Sequence, residues 1–402
     1  MLLLRMVVGL YVLNLGYLGE GSFTQLKECQ FVSKTFSNDV DITSRGGNRF
    51  RDSWLGELPM PFPANYIIDI DLQQRDFEDF SRPSYMNGHY EAKGWWYCYA
   101  YAILLKAPLG TLGLLGLAMA TSLIGFGPKL NWRDAMILLA PAGVIFAVAS
   151  SKSGFSHHSR YVLPCIPCIP CIPCIPFVLI WISGLAVHVQ TFWTTSLAIW
   201  NRPRLRSGLN GKRMQSCTIG LLASLLLLTS IGGSLSVHPH SMSYFNLLTG
   251  GPKNGPEYLL NSNIDWAQDL LFLKRWIKTQ PQDDNPVYLA FDNYYNPFDL
   301  EIPRIEPWPF AKNRDEDSND SDSSIVPNGD YAISVNQLYE FPWPLRRRDD
   351  GRCFIDHRPI AYLCKIEPIG RAGYSIRIYS ADQLRAAFSA PVSPRLWSGF
   401  PN

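Results

Sequence analysis

Apolar residues in this chain are bunched into long runs rather than spread evenly. The run Cys217 to Val237, CTIGLLASLLLLTSIGGSLSV, holds no charge, and about 20 such residues are enough to cross a bilayer core. Other apolar segments occupy Met1 to Leu18 (interrupted by Arg5 and Asn14), Ala107 to Phe126, Ala135 to Ala149 and about Tyr161 to Val189. Thr191 to Trp200 continues the last of these or lies at the interface. The pattern predicts a multi-pass α-helical membrane protein of about five spans, with a small α/β or α+β extracytoplasmic C-terminal domain. The expected organisation is an anchor at 1–18, an extracytoplasmic loop domain at 19–106, helices at about 107–126, 135–151, 177–200 and 217–237, and the C-terminal domain at 238–402. No small-x-small cleavage site follows the first run, so it reads as an anchor rather than a signal peptide.

The segment Asn201 to Arg213 carries Arg202, Arg204, Arg206, Lys212 and Arg213 with no acid. By the positive-inside rule it faces the cytoplasm, which places 19–106 and everything after His238 outside the cell membrane. Ahead of the second run, Gly94 to Tyr101 reads GWWYCYAY. This is either an interfacial aromatic belt, where apolar rings keep wet polar tips, or a sugar-stacking platform.

Beyond His238 the period changes. Trp266, Leu270, Leu273, Trp276 and Ile277 recur at helical spacing over Asp265 to Lys278. Pro286–Phe291, Tyr331–Val335, Ile360–Ile366 and Tyr374–Tyr379 read as strands, and Ala381–Ser389 as a final helix, pieces that pack as a small α/β or α+β domain. Residues 313–325 form an acidic, disordered loop. It lacks the glycine and glutamate that an EF-hand needs, since those positions counted from Asp315 hold Asp320 and Val326.

The tripeptide repeat PCIPCIPCIPCIP places Cys165, Cys168, Cys171 and Cys174 at a period of three. Proline at every third place rules out the tight loops of zinc knuckles, so no metal and no cofactor is expected. Each proline also costs about 3 kcal/mol in a helix interior, so the true span starts near Phe177. Cys353 and Cys364 are candidates for a disulfide across a turn at Arg358-Pro359, which an extracytoplasmic domain permits. The overall balance, 47% hydrophobic with a net charge of +2, hides the bunching. With no basic stripe it argues against nucleic acid as a partner; the lipid bilayer is the expected one.

Three stretches resemble the carboxy-terminal half of GT-C type membrane glycosyltransferases, of the protein-mannosyltransferase-like and RgtA/B/C/D-like kind. They are Pro59 to Lys106 (PMPFPANYIIDIDLQQRDFE, PSYMNGHY and GWWYCYAYAILLK), Arg160 to Pro164 (similar to an RY-x-LP entry to a late span), and SYFNLLTGGPKNG followed by NSNIDWAQDL. The family often shows DSN-x-DWGQDL at the last, so Asn261 and Ala267 are departures. The resemblance implies an inverting transferase that takes a sugar from a polyprenyl-phosphate donor on the outer membrane face. A carboxylate serves as general base, and a cation offsets the departing lipid phosphate.

The family's catalytic acid belongs to an amino-terminal half with no counterpart here, which implies a truncated protein in which the catalytic residues are unknown. Asp69, Asp71, Asp76, Glu78 and Asp79 read as a solvated acidic face. Arg160, with Tyr161 and His158, is the candidate site for the donor's lipid phosphate. A guanidinium binds phosphate bidentately, although snorkelling to the headgroups would equally place it there. His157 is a further donor contact. Asp265, Gln268 and Asp269 are explained by the dipole at a helix start. The alternative function is a non-catalytic membrane protein that binds lipid-linked glycan or a partner membrane subunit. A transporter is the third reading, disfavoured because the runs hold almost no ionisable residues.

Overall fold

The computed structural model describes residues 2–37, 47–78, 84–91, 94–126, 182–201, 210–281, 285–291, 296–310, 326–339 and 360–390, with isolated residues between 133 and 150 and between 345 and 355. The chain divides into two compact units, one built on Met1–Ser84 and the other on Tyr85–Glu91, Trp95–Ser151 and Ser156–Asn402.

In the first unit, α1 (Leu2–Gly16) precedes a short α2 (Lys34–Ser37) and α3 (Ala64–Glu78). Phe31, Phe36 and Phe50 make a small aromatic centre with ring separations of 5.5 to 6.3 Å. The acids of α3 are not all solvated. Asp71 is buried and accepts from the backbone N–H groups of Val32 (2.6 Å) and Ser33 (3.0 Å). Glu78 accepts from those of Lys34 and Thr35 and from the Thr35 hydroxyl. Burial alone would push the Glu78 carboxyl up, but the donors of Thr35, Gln74 and Lys34 outweigh it and hold it below the usual range. The two carboxylates thus serve the orphan donors at the start of α2. Sequence spacing does not reveal this role, because the donors lie some 40 positions away.

The second unit opens with a hairpin of β1 (Ser84–Met86) and β2 (His89–Glu91), turned by Asn87 and Gly88, both at positive φ. Then come α4 (Cys98–Lys106), α5 (Leu109–Leu123), α6 (Ala186–Asn201) and α7 (Gly211–Leu235). Pro108 separates α4 from α5, and the two axes are bent by 110°. Among the described residues α7 alone is long and apolar enough to cross a membrane, or two elements qualify if α4 and α5 count as one broken span. The expected multi-pass arrangement of about five spans is therefore corrected. The physical reason is length: at 1.5 Å per residue, helices of 15 or 16 residues such as α1, α5 and α6 reach about 22–24 Å, short of a hydrocarbon core of roughly 30 Å. The expected span 135–151 and the start of 177–200 lie largely outside the described residues. So do the CIP repeat, the acidic loop 313–325 and Arg202, Arg204 and Arg206.

Helices α5 and α6 pack on α7 through small residues. A Cβ on Gly110 would run into the backbone of Leu226 and Ser230, and one on Gly220 into the carbonyl of His188. The Thr111 and Ser230 hydroxyls bond at 2.6 Å. The buried His188 ring bridges Ser216 Oγ (2.7 Å) and the Phe126 carbonyl (2.8 Å).

The rest of the unit is a five-stranded sheet between two helices. Its strands are β3 (Val287–Ala290), β4 (Ile305–Pro307), β5 (Asp330–Ser334), β8 (Gly370–Ala372) and β9 (Ile376–Ser380), in the order β4-β3-β5-β9-β8, while β6 (Leu345–Arg346) and β7 (Arg352–Cys353) form a separate pair. β3 runs parallel to β4 and β5; β9 runs antiparallel to β5 and β8. Side chains alternate along the strands as the pleat requires. Ile376, Ile378 and Ala332 face Leu270, Leu273 and Ile277 of α8 (Leu270–Thr279), and Tyr379, Tyr331 and Ile333 face Leu384 and Ala387 of α9 (Ala381–Ser389). Each of the three α8 side chains contributes about 1.5–3 kcal/mol by burial. A reciprocal Ser380–Gln383 capping box starts α9.

Two expected strands differ. Ile360–Ile366 is a 3-10 turn at Ala361–Lys365 whose Leu363 is buried in the core, since a short apolar run does not by itself distinguish a strand from a turn of helix. The last strand starts at Ile376 rather than Tyr374, because the Tyr374 and Ser375 amides are engaged elsewhere. No disulfide joins Cys353 and Cys364, whose Sγ atoms face the carbonyls of Leu345 and Leu338 respectively.

Candidate functional site

Arg160, Tyr161 and His158, with His157, lie outside the described residues. The chemistry the structure does bring together lies where α7 ends, along the strap from His240 to Asn246 and the NSNIDWAQDL segment packed under it.

Asp269 is the anchor of this seam. It directly precedes α8 yet makes no capping bond to it, so the helix dipole is not its main explanation. Fully buried, it accepts from the Tyr374 and Ser375 amides through Oδ2 (both 2.9 Å) and from His240 Nδ1 through Oδ1 (3.0 Å). Gly373, at φ 61°, lies so close that any side chain there would land on the carboxylate. A carboxylate only accepts, so Nδ1 of His240 carries the proton. The ring rests against Phe272 (4.1 Å between centroids) and Tyr374 (5.4 Å). Among the described residues none bonds to Nε2.

Lys106, the last residue of α4, is the second functional group. Its Nζ donates to the Met242 carbonyl (2.9 Å) and to that of Asn263, and sits over the Phe245 ring at 4.5 Å. Helix α4 belongs to the α/β core, since Cys98, Ala102 and Leu105 pack with Phe245, Leu259, Ile264 and Val335. Desolvation there pushes the Lys106 ammonium down to about 7. Met242, which Lys106 grips, is two residues from His240, so Lys106 holds the same short strap that carries His240.

The neighbouring polar groups hold the backbone. Asp265 accepts from the Ala267 amide (2.9 Å) and from Ser334 Oγ (3.4 Å). Gln268 bridges the Trp266 amide and the Ile264 carbonyl. Asn246 donates to the carbonyls of Leu104 (2.6 Å) and Ala107 (2.9 Å). Ala267 has φ 69° and Asn261 φ 59°, both left-handed, a region asparagine tolerates and glycine occupies freely. The backbone at Ala267 thus takes a conformation that favours glycine, and this chain has alanine there. The aromatic stretch before α4 is divided: Trp96 is 73% exposed while Tyr99 is buried, so only part of it can serve as an interfacial belt.

No family model, curated protein or solved structure matches this chain. No group of three or more metal-ligating side chains occurs among the described residues. The sequence reading passed over Lys106 and His240. The available signals were a single charge closing an apolar helix and a histidine placed just after the longest apolar run.

Proposed function

We propose that the chain is a membrane-anchored, glycosyltransferase-like protein of the cell membrane that binds a polyprenyl-phosphate-linked sugar at the seam beneath α7, with transfer chemistry supplied by a partner membrane subunit. The observation that carries this reading is the grip of Lys106, at the end of α4, on the strap that carries His240 at the foot of an apolar helix. A lipid phosphate emerging from the bilayer there meets an ammonium and an imidazole oriented by Asp269. Arrival of the phosphate restores the charge that desolvation takes from Lys106, and the bond of His240 Nδ1 to Asp269 leaves the Nε2 edge of the ring for the ligand.

Anchoring is supported by α7 itself. Little of its apolar surface is buried, and Leu221, Leu222, Leu225, Leu228 and Ile231 are exposed, which a water-facing helix would not sustain. Lys212 and Arg213 open the helix, so the positive-inside rule places its start in the cytoplasm and the α/β unit outside. Binding is favoured over transfer because the two carboxylates of the seam, Asp265 and Asp269, are both engaged with the fold. Arg160, Tyr161 and His158 keep their proposed place at the donor by resemblance alone.

The test is equilibrium binding to the full chain in phosphatidylcholine nanodiscs, with a fluorescent polyprenyl phosphate and the matching polyprenol as probes. The phosphate is expected to bind more tightly, and Lys106→Met and His240→Ala are each expected to weaken it about tenfold, roughly 1.4 kcal/mol. Equal affinity for phosphate and alcohol would refute the reading.

A further inference from the structure

The strap ends in an exposed apolar tip that the fold holds rigid. Leu247 is 81% and Leu248 56% exposed, with Met242 also open to solvent. A mobile loop could hide such residues by collapsing, but this one cannot. Asn246 takes a backbone bond to Leu105 (2.9 Å), and its side chain donates to the Leu104 and Ala107 carbonyls. The same side chain accepts from the Leu248 amide (3.0 Å), and the Thr249 hydroxyl donates to the Asn246 carbonyl (2.9 Å). Gly250, at φ 76°, closes the turn. One asparagine therefore fixes two leucines outward, which costs solvation unless something apolar receives them.

The position of the tip identifies what receives it. Asn246 grips the carbonyls on either side of Lys106, at the bend where α4 gives way to α5. The start of α5 in turn lies against the last turns of α7, where Gly110 meets Leu226 and Ser230. The tip is thus at the level where both apolar helices leave the α/β unit. With α4 bent 110° from α5, α4 runs close to the bilayer plane whenever α5 stands along the normal. This sets exposed Trp96, at the far end of α4, near the same level, where tryptophan is favoured.

We infer that Leu247 and Leu248 insert into the outer leaflet of the bilayer as a second, monotopic contact beside α7, which seats the Lys106–His240 strap at the depth of lipid phosphates. Two buried leucines are a modest anchor by themselves; their effect is to fix height and tilt. The inference rests on α7 being the membrane anchor.

The experiment places the photo-crosslinking residue p-benzoylphenylalanine at Leu247, at Leu225 on α7, or at solvated Asp382, in the full chain reconstituted into phosphatidylcholine–phosphatidylglycerol nanodiscs. Adducts are read by mass spectrometry. Acyl-chain adducts at Leu247 and Leu225, several-fold above the level at Asp382, are the expected result. Adducts at Leu225 with Leu247 no higher than Asp382 overturn the insertion and leave the anchor standing. Acyl adducts at neither site remove the anchor, and the insertion falls with it. Adducts from Leu247 to a protein chain overturn it in favour of a protein partner.

Discussion

Ala267 occupies a left-handed conformation that costs an L-residue roughly 1–2 kcal/mol, offset in part by the greater chain entropy a glycine would lose. Ala267→Gly is therefore expected to stabilise the α/β unit by about 1 kcal/mol, measured as a rise in the urea midpoint with the slope unchanged. The surrounding bonds hold the backbone in place: the Asp265 carboxylate takes the Ala267 amide, and Gln268 takes that of Trp266. At this scale the sequence was legible only in part. The tendency of DWAQDL to precede a helix could be read. That Asp269 binds an amide pair 105 and 106 positions later, and that Asp71 reaches back 39 positions to cap a helix, are long-range facts that no local pattern encodes.

At the scale of elements, Gly110 and Gly220 bring backbone close against backbone where α5 and α6 meet α7, and there the contacts do not yield. In Gly220→Leu the new side chain meets the His188 carbonyl and Phe192 Cβ. Overpacking of this kind costs typically about 1–3 kcal/mol. The expected outcome is faster amide exchange across α6 (Ala186–Asn201), as the His188–Ser216 bond opens. Gly232→Leu, where nothing lies within 4 Å, should leave that exchange unchanged. The helices and central strands followed from periodicity because each buries one consistent face: α9 covers the predicted Ala381–Ser389, and α8 runs Leu270–Thr279 against a predicted Asp265–Lys278. The run 217–237 largely coincides with α7, but the number of about five spans did not follow, since a stretch of apolar residues says nothing of where Pro108 starts a new helix or where Gly125, at φ 76°, ends one. The Lys106–His240 strap was illegible for a related reason. It is assembled from the end of one apolar helix and the exit of another, which are far apart in the chain.

For the whole molecule, the buried titratable groups set a stability profile with a maximum on the alkaline side. Lys106 sits at about 7 in the fold against 10.5 when unfolded. Between those values the unfolded chain holds a proton that the folded chain has released, so stability rises with pH. Burial pushes Tyr339 and Tyr379 up to about 12, and Tyr85 and Tyr331 higher still, and the hydroxyls of Tyr331 and Tyr379 donate to carbonyls of Pro327 and Leu363. Above about pH 10 the unfolded tyrosines lose protons first, and stability falls. Urea midpoints of the α/β unit, followed by tryptophan fluorescence, should climb from pH 7 to about pH 10 and then drop. Lys106→Met should remove the climb and keep the drop.

The way Asn246 and Lys106 are tied also has a mechanical meaning. Asn246 holds Leu104 and Ala107 while Lys106, between them, holds Met242 and Asn263. Tension entering from the α7 end reaches several bonds side by side instead of one after another. Such an arrangement fails in shear, all at once, rather than unzipping from an end. The joint between α4 and the strap is therefore a rivet and not a hinge, and under the proposed anchoring by α7 the strap and α4 would move together.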